Sequence, residues 1–186
     1  MLDSRKKQAK ILRFFRKVHR TTGSFLFVFF FIIAVTGFLL GIKKHSGGII
    51  LPKTKKGTST ELIDFLPLDS LQNNATLYIT KYLKESNHIE IDRIDVRPEK
   101  GVVKFTFKSN FYEVQLDGAT GTLLQIDLRR SDVVEKIHDG SIVDYYLGFE
   151  SGVFKLFYTI MMSLALMIFT ITGFWLWYGP KRMRKS

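Results

Sequence analysis

Two long apolar spans without a charged side chain dominate this sequence, one near each end of the chain. Residues 23–42 (GSFLFVFFFIIAVTGFLLGI) form a span of 20 residues, and residues 156–178 (LFYTIMMSLALMIFTITGFWLWY) form one of 23. At about 1.5 Å per residue, a helix of either length crosses a hydrocarbon core of roughly 30 Å. The sequence therefore predicts an integral membrane protein with two transmembrane helices.

The net charge of +11 is concentrated beside the two spans. Residues 1–20 hold eight Lys and Arg against one acid, and residues 181–185 hold four with no acid, whereas residues 44–151 hold 14 basic and 16 acidic residues. An excess of Lys and Arg next to apolar spans is typical of cytoplasmic segments. We therefore expect both termini in the cytoplasm and residues 43–155 outside it, as in a bacterial inner membrane. Because the cations form no folded basic module, we expect no nucleic-acid binding.

The region between the spans has the pattern of a small α+β domain. An apolar stripe at helical spacing follows Asp69, whose carboxylate we expect to cap the helix, with Gln72 at the reciprocal capping position. The stripe consists of Leu71, Ala75, Tyr78, Ile79 and Tyr82. Apolar residues then alternate with a period of two through four segments that are separated by short turn sequences at 98–101, 109–110 and 117–121. This pattern predicts one helix over an antiparallel meander of about four strands.

The predicted organisation has seven parts. They are a basic cytoplasmic segment (1–22), the first transmembrane helix (23–42), an irregular connector (43–68), the α+β domain (69–130), a short helix with an interfacial segment (131–155), the second transmembrane helix (156–178) and a basic cytoplasmic tail (179–186). The first span is longer than the core of a signal peptide and lacks a small-x-small cleavage site. We therefore expect it to be an uncleaved anchor.

Histidines offer the clearest chemistry in the sequence, which has no cysteine, no phosphate loop and no credible Ser-His-Asp arrangement. His19 lies four residues before the first span, and His138 follows the predicted domain, next to Asp139. Imidazole is a frequent ligand of haem iron and needs a nearby acceptor to fix its tautomer, for which Asp139 is a candidate. Spacing alone favours a simpler interpretation, in which His19 is an interfacial residue and His138 ends a helix.

The order of several motifs resembles that of the PepSY-associated transmembrane family. The motifs are HRTTG (19–23), TGFLLG (36–41), YEVQLDGATGTLL (112–124), IHDGS (137–141), TGFWLW (172–177) and Gly-Pro-Lys (179–181). The resemblance extends from about residue 16 to residue 181. It implies a membrane α-helical protein in which two transmembrane helices flank an inserted, small, extracytoplasmic PepSY-like α+β domain.

The same resemblance implies a redox function. Larger members of the family have four or more spans and include inner-membrane siderophore-iron reductases that carry haem between histidine ligands. By motif match, His19 and His138 are the axial ligands, haem b is the cofactor, and ferric siderophore is the electron acceptor in reductive iron assimilation. In the predicted topology the two histidines lie on opposite sides of the bilayer and cannot ligate one iron. We therefore expect a homodimer, or a pairing with a related subunit in a larger membrane complex, in which equivalent histidines share a haem.

Several alternatives stay open. Gly37-x-x-x-Gly41 could admit a flat macrocycle or could pack against the chain's own second helix. His45 could approach the outer haem, whereas His88 is expected in a turn. Whether the chain is an enzyme is open, and the resemblance makes it a candidate component of a ferric-siderophore reductase. The alternative function is a non-enzymatic accessory or regulatory subunit of a membrane or cell-envelope complex, with the PepSY-like domain as the interaction module.

Overall fold

The computed structural model describes residues 2–84, 89–108, 110–149 and 151–185. The chain divides into two compact units, one formed by Met1–Phe38 with Glu135–Ser186 and the other by Leu39–Val134. We call the first the helical unit and the second the sheet unit, and we describe each by itself.

Two long helices form most of the helical unit. Helix α1 covers Leu2–Ile42, and helix α5 covers Val153–Lys185. Helix α1 is therefore about 60 Å long and continues the first apolar span back into the basic segment. Both helices contain a stretch that is long and apolar enough to cross a membrane, and few residues of these stretches are buried within the chain. Large apolar side chains such as Phe25 and Leu156 are consequently exposed, which fits a lipid surrounding.

Helices α1 and α5 run antiparallel and contact each other through aromatic side chains. The rings of Phe15 and Trp175 have centroids 5.9 Å apart, and those of Phe29 and Tyr158 have centroids 6.3 Å apart. Positions further along α1 thus face positions earlier on α5. This arrangement decides which residue of one helix can meet a given residue of the other.

Two short helices precede α5. Helix α3 covers Arg130–His138 and corresponds to the short helix predicted at the start of segment 131–155, whereas helix α4, Ser141–Leu147, lies in the part of that segment predicted only to be interfacial. The buried carboxylate of Asp144 on α4 accepts hydrogen bonds from the backbone N–H groups of Phe154 (3.0 Å) and Lys155 (2.8 Å). These are N–H groups of the first turn of α5, which have no partner within the helix. Asp144 therefore stabilises the start of α5, where its negative charge also interacts favourably with the positive end of the helix dipole.

The sheet unit contains one helix and a four-stranded antiparallel meander, as predicted. The strands are β1 (Ile91–Arg97), β2 (Val102–Phe107), β3 (Tyr112–Asp117) and β4 (Leu123–Leu128), in the order β1-β2-β3-β4. Helix α2 (Leu68–Leu83) covers one face and buries Leu71, Ala75 and Ile79 of the predicted stripe against Phe105, Val114 and their neighbours. Removal of these apolar side chains from water is the main source of stability for this unit. The predicted fold class is confirmed.

The predicted cap of α2 is wrong. The helix begins at Leu68, its N-cap residue is Pro67, and no side chain caps it. Asp69 lies inside the first turn, where its Oδ1 accepts a hydrogen bond from the N–H of Ser70. Proline at the N-cap favours extended backbone there and needs no N–H partner, so the N-cap lies two residues earlier than the capping pattern indicates.

The second face of the sheet is also covered, although alternation with a period of two predicts a solvated face. The side chain of Gln115 donates to the carbonyl of Lys53 (3.0 Å) and accepts from the N–H of Lys55 (2.9 Å). On the same two central strands, the fully buried Glu113 forms ion pairs with Lys104 and Arg129. The irregular connector thus lies over the polar face, and both central strands are buried on both sides.

The hairpin turns follow the predicted turn sequences. Pro98–Lys100 forms a 3-10 turn, and Gly101 after it has a φ of 68°, which glycine adopts without strain. In the hairpin between β3 and β4, the carboxylate of Asp117 accepts hydrogen bonds from the N–H groups of Ala119 and Thr120. Ser109 of the remaining predicted turn and His88 lie outside the described residues.

Candidate functional site

His19 lies on α1 and faces α5. Its Nδ1 is 2.9 Å from Oγ1 of Thr172 and 3.2 Å from the backbone oxygen of Phe169. The imidazole also stacks on the Phe169 ring, with centroids 3.9 Å apart and planes 24° apart. The predicted ligand residue is therefore held half-buried against the second long helix, and its ring has a defined orientation.

His138 is the last residue of α3 and faces α1. Its Nδ1 is 2.9 Å from Oγ1 of Thr36. Thr36 lies six residues before the end of α1, or about 9 Å from it along the helix axis. His138 therefore contacts residues of the first apolar span, although its own sequence position is well before the second span.

The surroundings of the two histidines match. Thr36 and Thr172 are 7% and 4% exposed, and each hydroxyl also lies close to the carbonyl four residues earlier, at 2.6 Å from Ile32 and 2.7 Å from Ile168. A glycine follows each threonine. A methyl group built on Gly37 would lie 3.4 Å from Cε1 of His138, and one built on Gly173 would lie 3.3 Å from Cε1 of His19.

These contacts bear on which ring nitrogen of each histidine carries a hydrogen. A threonine hydroxyl has one hydrogen, and the carbonyl of its own helix takes it, so its oxygen accepts from the histidine. For His19 the carbonyl of Phe169, which can only accept, requires the same direction. For His19 this direction places the hydrogen on Nδ1 and leaves the lone pair on Nε2, and the bond of Thr36 to its own helix favours the same tautomer for His138. Within the described part of the chain, no group forms a hydrogen bond with either Nε2.

The structure does not bring the two histidines together. His19 and Thr36, the partner of His138, are 17 positions apart on one continuous helix, which corresponds to roughly 25 Å. A single metal ion cannot bridge that separation, so the two histidines lie at different levels of the helical unit and cannot share one ion.

A cavity of about 430 Å³ lies beside His138 within the helical unit. Its walls are mostly apolar and include Phe30, Ile33, Met162 and Leu166, with the Ser163 hydroxyl among them. Ligand sites of proteins have this character, in which an apolar wall surrounds a few polar groups.

Asp139 does not serve as the acceptor for His138, contrary to one expectation from the sequence. Its carboxylate forms an ion pair with Lys155 (2.7 Å) and accepts hydrogen bonds from the N–H and hydroxyl of Ser141. Burial alone would raise the pKa of Asp139, but these hydrogen bonds and the ammonium group outweigh it and lower that pKa. Asp139 therefore stays ionised and joins the end of α3 to the start of α5.

The other residues considered in the sequence contribute less. His45 is exposed in a 3-10 turn, Lys43–His45, that follows α1 directly. Gly41 has open space beside it, so in Gly37-x-x-x-Gly41 only Gly37 has a close neighbour, and that neighbour is a histidine ring rather than a helix. Among the described residues, no group of three or more His, Asp or Glu side chains could hold a metal ion.

Sequence reasoning missed Thr36 and Thr172. A signal for them was present, because the triplet Thr-Gly-Phe occurs in both apolar spans, at 36–38 and at 172–174. A buried hydroxyl in a membrane span usually bonds its own helix, and nothing in the sequence shows that a histidine approaches it.

Comparison with known families supports this picture of the chain. The model of the family described as PepSY-associated TM region matches residues 2–180. No curated protein sequence matches the chain. The family match includes both apolar helices and the sheet unit between them. The chain is therefore a membrane protein and belongs to the PepSY-associated TM region family.

Proposed function

We propose that this protein binds haem b and transfers electrons across a bacterial inner membrane, in reductive assimilation of iron from ferric siderophores. One observation carries the proposal. His19 and His138 each have Nδ1 held by a threonine of an apolar span, and each keeps Nε2 without a partner among the described residues. Metal-ligating histidines typically have this arrangement, in which the second nitrogen donates to a neighbouring acceptor.

Both histidines have the chemistry of haem ligands, and His138 also lies beside a cavity. Neutral imidazole is a ligand of haem iron, and the assigned tautomer leaves Nε2 for coordination. Beside His138, apolar walls and a volume of about 430 Å³ suit a flat apolar ligand. When bound, haem supplies a one-electron redox centre, and the contribution of this chain is to hold one ligand at each of two levels roughly 25 Å apart along α1.

The topology that we propose follows from charge. The basic ends of α1 and α5, with eight Lys and Arg in residues 1–20 and four in residues 181–185, belong on the cytoplasmic side. His19 then lies near the cytoplasmic surface, and His138 and the sheet unit lie on the outer side. A reductant in the cytoplasm and a ferric siderophore outside it are the electron donor and acceptor that this topology permits.

A haem held by two histidines at each level would need a second histidine from outside this chain. His19 and the α1 residue that contacts His138, Thr36, are roughly 25 Å apart along α1. The remaining described histidine, His45, has an exposed side chain. A second copy of the chain, or a related subunit, can supply the equivalent histidine at each level. We therefore propose a homodimer, or a pair with a related subunit, in which two His19 residues face each other and two His138 residues do the same.

Single and double histidine variants test this function. The protein is expressed with sufficient haem supply, purified in detergent and assayed for haem by pyridine haemochrome. His19→Ala and His138→Ala are each expected to remove one of two haem populations, and the double variant to remove both. His45→Ala serves as a matched surface control. Full haem content in the double variant would reject these residues as ligands.

A second candidate function rests on a different part of the chain. A groove of about 800 Å³ runs between α2 and the edge strand β1, lined by Thr76, Thr80 and Ile94 among others. Exposed sheet edges can accept an extended segment of a partner, which suits an accessory or regulatory subunit. In that case histidine variants would have little effect, and Thr76→Arg or Thr80→Arg in the groove would disrupt assembly with the partner complex.

A further inference from the structure

We propose that Thr36 and Thr172 are positioning residues, each of which fixes the tautomer and the orientation of one ligand histidine. With the glycines that follow them they form two equivalent elements, Thr36-Gly37 and Thr172-Gly173, which we call the Thr-Gly seats. The proposal deepens the proposed function, since it rests on Nε2 of His19 and His138 being the ligand atom. The effect on the tautomer, however, is a property of the protein without haem.

The same geometry occurs twice, in different sequence contexts. His19 on α1 is seated on α5, and His138 on α3 is seated on α1. Both distances from Nδ1 to Oγ1 are 2.9 Å, and both glycines face Cε1 of the ring. Two unrelated histidines would meet a buried Thr-Gly pair in the same way only rarely by chance, so the repetition indicates a shared role.

Helical back-bonding makes each hydroxyl an acceptor. Because Thr36 bonds the carbonyl of Ile32, and Thr172 that of Ile168, the hydroxyl hydrogens are already used. Thr170 shows that back-bonding alone is not enough. Its hydroxyl donates to the carbonyl of Leu166 at 2.8 Å, yet the residue is exposed and forms no hydrogen bond with any of the described histidines. Thr170 is therefore the natural control for any substitution at Thr172.

A neutral acceptor suits a position within an apolar span, where both threonines lie. Carboxylates often hold the second nitrogen of a ligating histidine, but an ionised carboxylate in an apolar span is costly. A threonine hydroxyl gives the same hydrogen-bond direction without a charge. The glycine of each seat leaves the space in which the edge of the ring lies, since an added methyl group would approach Cε1 to 3.3–3.4 Å.

Nitrogen NMR on haem-free protein tests the tautomer directly. Protein labelled with ¹⁵N at histidine is placed in lipid nanodiscs at a pH where the rings are neutral, and His45→Gln and His88→Gln variants assign the signals. We expect a protonated Nδ1 and an unprotonated Nε2 at both His19 and His138. Thr36→Val should change only the His138 signals, and Thr172→Val only those of His19. Thr36→Ser, Thr172→Ser and Thr170→Val should leave both unchanged.

Haem titration then tests the consequence. Thr36→Val and Thr172→Val should each weaken haem binding at one level by about 10–100-fold, the usual effect of losing the partner of a ligating histidine. The serine variants should restore binding, because they keep the hydroxyl and lose only a methyl group. Restoration by serine separates hydrogen bonding from packing.

The two proposals fail in different ways. A protonated Nε2 in the wild-type spectrum, or unchanged tautomers in both valine variants, would overturn the role of the seats whether or not haem binds. The expected tautomers in a protein that takes up no haem would support the role in ring orientation and reject the haem function. Valine variants with altered tautomers but wild-type haem affinity would overturn the positioning role.

Discussion

Thr36 and His138 are 102 positions apart in the chain, and their side chains form a 2.9 Å hydrogen bond between Oγ1 and Nδ1. This contact joins the first apolar helix to the last residue of α3. Because Thr36 is buried within the helical unit, water has little access to this hydrogen bond. His19 and Thr172 form the equivalent contact, so the helical unit contains two hydrogen bonds between a histidine Nδ1 and a threonine Oγ1 with the same distance.

The first prediction concerns Gly37, the glycine of the Thr36-Gly37 seat beside His138. Gly37→Ala should lower haem affinity at the His138 level by less than about tenfold, because the new methyl group would lie 3.4 Å from Cε1 and would restrict the ring without displacing it. Gly41→Ala is the matched control on the same helix, since nothing lies within 4 Å of the added group. Haem titration of the two variants measures the difference, and equal affinities would show that the ring does not need this space.

The start of α5 gives the second prediction. Asp144→Ala should reduce the free energy of unfolding by about 1 kcal/mol, because two backbone N–H groups of the first turn lose their acceptor. Asp144→Asn should recover part of the loss, since its amide oxygen can still accept. Equilibrium unfolding in detergent, followed by circular dichroism, provides the measurement. No loss in the alanine variant would mean that water or lipid headgroups replace the carboxylate.

The buried ion cluster of the sheet unit gives the third prediction. Glu113→Gln should destabilise this unit by about 3 kcal/mol, because the buried Lys104 would lose its counter-charge and the largely buried Arg129 would keep only Asp132. The exposed Glu99→Gln should change stability by less than about 0.5 kcal/mol. Hydrogen exchange of amides in β2 and β3, measured on the full chain, reports the local stability. Equal protection in the two variants would contradict the assigned importance of Glu113.

The turn after β3 gives a prediction for pH. Burial alone would raise the pKa of Asp117, but hydrogen bonds from Thr120, Ala119 and Thr58 outweigh burial and lower it. A carboxyl group with a lowered folded-state pKa stabilises the fold above its unfolded pKa of about 3.9, and that contribution is lost as pH falls through the folded value.

Stability of the sheet unit should therefore fall on acidification below about pH 4. Asp117→Asn should be less stable than wild type at neutral pH, with a smaller further loss on acidification. Hydrogen exchange at several pH values, corrected for intrinsic rates, compares the two proteins. Identical pH profiles would assign the acid sensitivity to other carboxylates.

Much of the fold was predictable because its signals are local. The uncharged length of residues 23–42 and 156–178 predicts two membrane helices, and the alternation around Phe105 and Val114 predicts strands. The tight turn at Gly101 follows from the Pro-Glu-Lys-Gly sequence before β2. These features depend on neighbours within a few residues, so the sequence alone contains them.

What the sequence did not reveal depends on distant contacts. Burial of Glu113 and Gln115 requires the connector to fold over the polar face of the sheet, which alternation cannot indicate. His19 and His138 could be chosen as candidates, but their partners Thr172 and Thr36 could not, because the contacts cross between helices. The capping pattern at Asp69 failed since Pro67 sets an earlier start for α2.

The most direct test of the account is a reduced-minus-oxidised absorption spectrum of the detergent-purified protein, with haem quantified by pyridine haemochrome. The proposed function predicts a sharp b-type spectrum, with one haem for each pair of equivalent histidines in the dimer. A preparation made with ample haem supply that shows no Soret band would contradict it. In that case the histidines would have a structural role at the helix contact. The next step would be to identify proteins that co-purify with this protein and bind the groove of its sheet unit.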